Sequence, residues 1–169
     1  MDLRVELFDK RRHQRHGFAS GEPALDDYLA HHAPQDVRRD IAALFCLVDE
    51  ARPDVLGFYT LSAGSLPLTD IPEELRRGLP RYDHLPAVLL GRLAIRQDRQ
   101  GEGLGEMLLF DALERAVAGP IAVWCVVVDA LNQRVAAWYM RYGLRPLHGQ
   151  PLRLIIAAAT VRRLLSSPR

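Results

Sequence analysis

Leu3, Val5 and Leu7 alternate with polar residues, the two-residue period of a half-buried strand. Residues 13–18 are basic and loop-like. Gly21-Glu22-Pro23 then opens a helix with Ala24, Leu25, Tyr28 and Leu29 on its apolar face, broken at Pro34. A further short turn is expected over 35–40. Two apolar runs, 41–48 and 55–61, flank the turn residues 49–54, which predicts an antiparallel hairpin. Between 66 and 85, Pro67, Pro72 and Pro80 interrupt any regular run and leave a surface excursion with one short helix at Glu73–Arg77. A third strong strand is expected over Ala87–Ile95. A glycine-rich turn, Gln100–Gly105, leads into an amphipathic helix over about 106–117, with Met107, Leu108, Ala112 and Leu113 inward and Gly119-Pro120 closing it. Ile121–Val128 reads as a fourth long strand and 132–142 as a helix stopped by Gly143. Leu152–Ala159 reads as the last strand and 161–165 as a short helix. There are no internal repeats. This order predicts an α+β fold with a strand–turn–helix–strand–helix unit at its centre.

Composition narrows the classes. The 169 residues fit one domain over 1–169, and 49% apolar with 25% charged residues suits a soluble chain with a real core. A formal net charge of +1 argues against nucleic-acid binding through overall charge but leaves room for a local basic face. That positive charge is nearly all arginine, Lys10 being the lone lysine. Cys46 and Cys125 sit in apolar runs without metal-ligand spacing, so two buried thiols in a reducing cytosol are expected, and no metal. Met1–Arg15 is charged and lacks the apolar core of a secretory signal, and no run reaches membrane-spanning length. A cytoplasmic protein without a membrane partner is the expectation.

The chemistry concentrates after the third strong strand, in Gln100-Gly101-Glu102-Gly103-Leu104-Gly105. Successive backbone N–H groups at such a helix start form a concave anion site reinforced by the helix dipole, and glycines let a phosphate approach the main chain. Taken alone, G-x-G-x-G is more often a turn without a ligand. It lacks the G-K-[ST] of a P-loop, and it stands mid-chain rather than early in a parallel βαβ unit, as a dinucleotide fingerprint would.

The six residues resemble the Q/R-x-x-G-x-G/A signature of the GNAT acetyltransferase superfamily, in the place that signature occupies after the fourth strand of the GNAT fold. The resemblance implies a mixed, mostly antiparallel central sheet flanked by helices, and acetyl-CoA as co-substrate. It also implies main-chain contacts from Leu93, Ala94 and Ile95 to the pantetheine arm, with the diphosphate held at Gln100, Gly101, Glu102, Gly103, Leu104 and Gly105. Glu102 departs from the Arg or Lys common in the family; Arg96 or Arg99 is placed to offset it. The segment Asn132-x-x-x-Ala136-x-Trp138-Tyr139-x-x-Tyr142-Gly143-Leu144 resembles the family's N-x-x-A-x-x-x-Y-x-x-x-G-F, with Val135 and Leu144 as apolar exchanges. Seven residues are about two helical turns, which would put Asn132 and Tyr139 on one face. An isolated tyrosine there would be core packing; with both motifs in order, Tyr139 is the catalytic candidate. Attack of a neutral amine on a thioester requires a donor for the oxyanion, available from backbone N–H groups near 93–95, and a proton for the thiolate. A free thiol has a pKa of about 8.5 and tyrosine about 10, so Tyr139 suits a general acid.

Further segments extend the likeness. Gly21-x-x-Ala24-Leu25-Asp26-x-Tyr28-Leu29, Gly57-Phe58-Tyr59-Thr60-Leu61-Ser62, and Leu79-Pro80-Arg81-Tyr82 before Leu90-Gly91-Arg92-Leu93-Ala94 resemble the GNAT toxins of toxin–antitoxin pairs. Members acetylate the α-amino group of aminoacyl-tRNA and so block translation. A ribbon-helix-helix antitoxin usually neutralises them, and they commonly form homodimers. On that resemblance Arg92, Arg38, Arg39, Arg76, Arg77 and Arg81 are candidates for tRNA phosphate contacts, Arg92 foremost because it sits on the cofactor strand. A GNAT enzyme acetylating a small amine or a protein N-terminus is the alternative, and a non-catalytic acyl-CoA-binding module a third reading.

Overall fold

The alternating N-terminal residues form β1 (Leu3–Leu7), which pairs antiparallel with β2 (Ala43–Asp49), Leu3 opposite Asp49 and Leu7 opposite Phe45. β2 and β3 (Arg52–Pro67) make the expected hairpin. In the computed structural model, which describes residues 1–167, β4 (His84–Ile95), β5 (Cys125–Asp129), β6 (Arg145–Leu147) and β7 (Gln150–Ala157) extend the sheet to the order β1-β2-β3-β4-β5-β7-β6. β4 and β5 are parallel, whereas β5–β7 and β6–β7 are antiparallel, so the sheet is mixed and mostly antiparallel as expected. The helices are α1 (Pro23–Asp27), α2 (Ala33–Arg38), α3 (Glu73–Arg76), α4 (Leu104–Ala118), α5 (Gln133–Met140) and α6 (Ala158–Ser166).

The chain divides into two compact units. The first joins 1–62 with Gly91–Ala112. Its core packs Tyr28, Leu29 and Ala33 onto Leu44, Cys46 and Val48 of β2, Val55 and Phe58 of β3 and Ala94 of β4. Gly57 is required there by space: a Cβ would stand 2.6 Å from Ile95 Cδ1 and 3.0 Å from both the Ala94 carbonyl oxygen and Leu108 Cδ1. The second unit joins Ala63–Leu90 with the chain from Leu113 onward, around Leu66, Ile71, Leu85, Ala87, Cys125, Val127, Leu147 and Ile155. Within it, α3 is tied to β6 by an ion pair between Glu74 and Arg145. Cys46 and Cys125 are free and buried, one in each unit, and burial pushes both thiols up to about 12.

Several expected boundaries are corrected. Pro34 does not break the first helix. A π-helical turn, Tyr28–His32, lets Ala33 N–H bond to the Tyr28 carbonyl, and Pro34 falls at the start of α2, where its missing N–H leaves nothing unpaired. Ala24 and Met107, expected inward, are exposed. The strand expected from Ile121 begins only at Cys125, where partners on β4 and β7 become available, and Ile121 is 81% exposed. β3 runs on to Pro67, β4 begins at His84, α4 begins at Leu104, and α6 is longer than expected. β6 was not anticipated: its three residues, Pro146 among them, carry no pattern of their own and are ordered by the edge of β7.

The crowding at Gly57 makes a stability prediction. Gly57→Ala forces a methyl against a backbone carbonyl and two packed side chains, and is expected to cost roughly 1–3 kcal/mol. Urea unfolding checks it as a lower midpoint at unchanged slope.

Candidate functional site

β4 pairs with β5 from Ala87↔Cys125 to Leu90↔Val128, yet the strand itself continues to Ile95. Beyond its end, Arg96 N–H donates to the Leu56 carbonyl of β3 at 2.8 Å. Main-chain groups alternate sides along a strand, so Arg92 and Ala94 turn theirs towards β3, and Leu93 and Ile95 towards the other edge. On that edge the Ile95 carbonyl accepts from Gln100 Nε2 at 3.0 Å. The side chains alternate across the two faces: Ala94 enters the core with Tyr28, and Ile95 lies against Gly57.

After β4 the chain makes a 3-10 turn over Gln97–Arg99, Gln100 is extended, and Gly101 and Gly103 take φ of 82° and 79° before α4 begins at Leu104. Both glycines lie in the left-handed region that side chains disfavour, and a Cβ at either would meet nothing within 4 Å. Backbone conformation, not crowding, therefore requires glycine, and the space over the turn is open to a ligand. Gln100 pins the turn, its Nε2 donating to the Ser20 carbonyl at 2.7 Å as well as to Ile95. Ser20 is itself fixed by Asp26, whose Oδ1 accepts from Ser20 N–H at 2.8 Å and from Ser20 Oγ at 2.6 Å. Gly105 falls in the first turn of α4 rather than in the loop. An open left-handed turn feeding a 15-residue helix fits an anionic group bound through main-chain N–H.

Of the two arginines placed to offset Glu102, Arg99 is the partner. Its Nε donates to both carboxylate oxygens at 3.0 Å and its Nη2 to one at 2.9 Å. Those hydrogen bonds hold the Glu102 carboxyl below the usual range. Arg96 is taken by Asp98, at 2.6 Å and 2.9 Å.

α5 carries the other candidates. Asn132 is extended and caps the helix, its Oδ1 accepting from Val135 N–H at 3.0 Å. As the cap it opens α5, its carbonyl accepting from Ala136 N–H at 2.9 Å, seven residues before Tyr139. Its side-chain nitrogen is not used by the cap. Tyr139 is only 4% exposed, with the Trp138 ring edge-on at 5.0 Å. Among the described residues none hydrogen-bonds its hydroxyl. Burial raises its pKa well above the ordinary value of 10.0, so the phenol keeps its proton at neutral pH.

The arginine candidates separate. In the first unit Arg38 and Arg39 are exposed at the end of α2, and Arg92 is exposed with its guanidinium carbon 3.7 Å from the centroid of the Tyr28 ring. In the second, Arg76 is half-buried with its Nε enclosed and unpartnered, while Arg77 and Arg81 are exposed. Sequence reasoning missed the platform under Arg92: the Tyr28 hydroxyl donates to Asp36 Oδ2 at 2.9 Å. Tyr28 read as one of four apolar positions, and nothing in its spacing announced an acidic partner eight residues on. Among the described residues no group of His, Cys, Asp and Glu side chains is arranged to hold a metal ion, and no helix is long and apolar enough to cross a membrane.

The two buried phenols set an alkaline limit on stability. Burial raises both, Tyr28 to about 12 with Asp36 adding to the effect, so the folded state keeps protons that the unfolded chain releases near pH 10. Their contribution is complete below pH 10 and is lost as pH rises through the folded values. Denaturation between pH 9 and pH 11.5 should show stability falling above about pH 10, less steeply in Tyr139→Phe.

No family model matches the chain. A curated tRNA-acetylating toxin of Mycobacterium tuberculosis (strain ATCC 25618 / H37Rv) is 37% identical over 150 residues, covering 88% of each protein. A probable toxin TacT of Sinorhizobium fredii (strain NBRC 101917 / NGR234) is 29% identical over 95% of this chain and 94% of its own. Among solved structures, a KacT variant matches with a TM-score of 0.90 at 28% identity, over 97% of this chain and 99% of that one. AtaT complexed with acetyl-methionyl-tRNAfMet matches at 0.88 and 28%, over 98% and 100%. An AtaT variant bound to the C-terminus of the antitoxin AtaR and acetyl-CoA matches at 0.84 and 25%, over 99% and 100%.

Proposed function

Because this chain belongs to the GNAT-superfamily acetyltransferase toxins of toxin–antitoxin systems, we propose that it moves the acetyl group of acetyl-CoA onto the α-amino group of aminoacyl-tRNA and so blocks translation. The likeness to a tRNA-acetylating toxin over 88% of the chain carries the reading, supported by the open anion-receptive turn at 100–105. An acylated α-amino group is an amide, no longer nucleophilic, and cannot accept a peptide.

Leu93 and Ile95 offer main-chain groups to the pantetheine arm, with Ala94 between them securing the strand to the core. The N–H groups from Gly101 to Gly105 take the diphosphate, with Leu104 and Gly105 contributing from the first turn of α4. Gln100 acts as a brace rather than a ligand, and Arg99 keeps the Glu102 carboxylate occupied. Asn132 has its side-chain nitrogen left to donate.

Acetyl-CoA supplies an acyl group activated as a thioester. Backbone N–H near 93–95 meets the charge that develops on the acyl oxygen as the amine nitrogen attacks. Tyr139 gives its phenolic proton to the departing sulfur as the carbon–sulfur bond breaks, and the surplus proton on nitrogen restores the phenol. Burial makes the phenolate left by this transfer a strong base, so it readily takes the surplus proton back from nitrogen. An α-amino group with a pKa of about 7.7–8.0 is partly neutral at pH 7 and requires no separate base. Arg92, Arg38, Arg39, Arg76, Arg77 and Arg81 contribute phosphate contacts to the RNA. A neutralising antitoxin of the ribbon-helix-helix type, a homodimer and action in the cytoplasm complete the reading.

Tyr139→Phe is expected to leave acetyl-CoA binding nearly intact while lowering turnover by a factor on the order of ten to a thousand. Mass analysis of amino acids released from total charged tRNA after incubation with acetyl-CoA measures it. Induction of the wild type should arrest bacterial growth, and the variant should relieve the arrest. Acetylation of small amines with charged tRNA left untouched would overturn the proposal.

A further inference from the structure

Arg92 differs from its neighbours on the same stretch. Arg96 is closed by Asp98 and Arg99 by Glu102, but among the described residues no carboxylate lies within ion-pair range of Arg92, which is exposed. Its guanidinium rests instead on the Tyr28 ring, 3.7 Å from the centroid. A guanidinium seated over a ring and beside its hydroxyl is held in place, and the N–H groups on its exposed side remain for a phosphate.

The platform beneath is fixed on several sides. Tyr28 is 5% exposed, its ring parallel to Phe58 and to His32, and its hydroxyl is tied to Asp36 at 2.9 Å. A hydroxyl donating to a carboxylate makes the ring richer in electrons and strengthens its hold on a cation. The π-helical turn Tyr28–His32 lies between the phenol and its acidic partner. Such turns cost regular hydrogen bonding and recur at functional positions.

We propose that Tyr28 and Asp36 are positioning residues that present Arg92 as a phosphate receptor for the RNA that carries the acyl acceptor. The inference rests on the reading of charged tRNA as substrate. It adds that discrimination in favour of a phosphate-bearing acceptor depends on a buried aromatic ring, steadied by a half-buried carboxylate, that touches neither substrate nor cofactor.

The test compares two acceptors with the full chain: charged tRNA, and the methyl ester of the same amino acid, which has the amine but no phosphate. Tyr28→Leu and Arg92→Gln are each expected to lower the ratio of kcat/KM for tRNA to that for the ester by about tenfold, through KM for tRNA. The double variant should lose little more than either single one, because both remove the same contact. Tyr28→Phe, which keeps the ring, should retain most of the ratio. The log–log salt dependence of KM for tRNA should drop by about one phosphate's share. If Tyr28→Leu does not fold, Asp36→Asn takes its place, with a smaller loss in the same ratio. An unchanged ratio, or losses that multiply independently in the double variant, overturns the inference while leaving tRNA acetylation standing. A wild type active on the ester and inert towards charged tRNA overturns both.

Discussion

Two left-handed glycines, held in place by one glutamine, are the constraint on which the turn between β4 and α4, and the cofactor site proposed there, depend. Gly101 and Gly103 turn the chain from β4 into α4 with their amide groups unobstructed, and Gln100 ties that turn to the ends of two separate segments, Ser20 and Ile95. A left-handed residue is costly for any side chain, so the turn survives only while glycine fills both positions. The brace matters because main-chain donors bind an anion well only when already aimed. A loop that had to order itself on binding would lose part of the gain to entropy.

Electrostatics around the turn follow from that design. From Arg96 to Glu102 there are two arginines and two carboxylates, and they neutralise one another within the segment. Exposed pairs of this kind add little stability. Their consequence is that, within Arg96–Glu102, both arginines are already paired, so on the proposed reading attraction for a diphosphate comes from backbone N–H and the start of α4. Cofactor binding built this way should respond weakly to ionic strength, since amide groups and a helix dipole within one turn act at short range. Arg92 is arranged in the opposite sense, as an exposed cation left open, and open arginines are what a polyanionic acceptor requires.

The sequence was most legible where a residue's neighbours in the chain decide its conformation. Alternation at Leu3, Val5 and Leu7, the apolar pair of strands around 49–54, and the glycines at 101 and 103 are local signals, and the structure follows them. Motif spacing likewise brought Tyr139 forward, and its near-complete burial agrees with an apolar helix face. The failures share one cause, a decision taken by distant partners. Ile121 looks like the start of a strand but has no edge to pair with until Cys125, and the short β6 exists only because β7 offers an edge. Pro34 looks like a stop because sequence rules assume α-helical hydrogen bonding, which the π turn replaces. The hydrogen bond from Tyr28 to Asp36 had no signal at all, since a tyrosine among leucines and alanines reads as packing.

Burial of Tyr139 could be taken as evidence against catalysis, because a phenol in the interior is most often structural. Its hydroxyl argues the other way. Structural tyrosines bond something with their hydroxyl, as Tyr28 does with Asp36 and Tyr59 with Asp111 at 2.6 Å. Tyr139 has no such bond among the described residues. A hydroxyl without a protein partner is open to a group that arrives with the substrate.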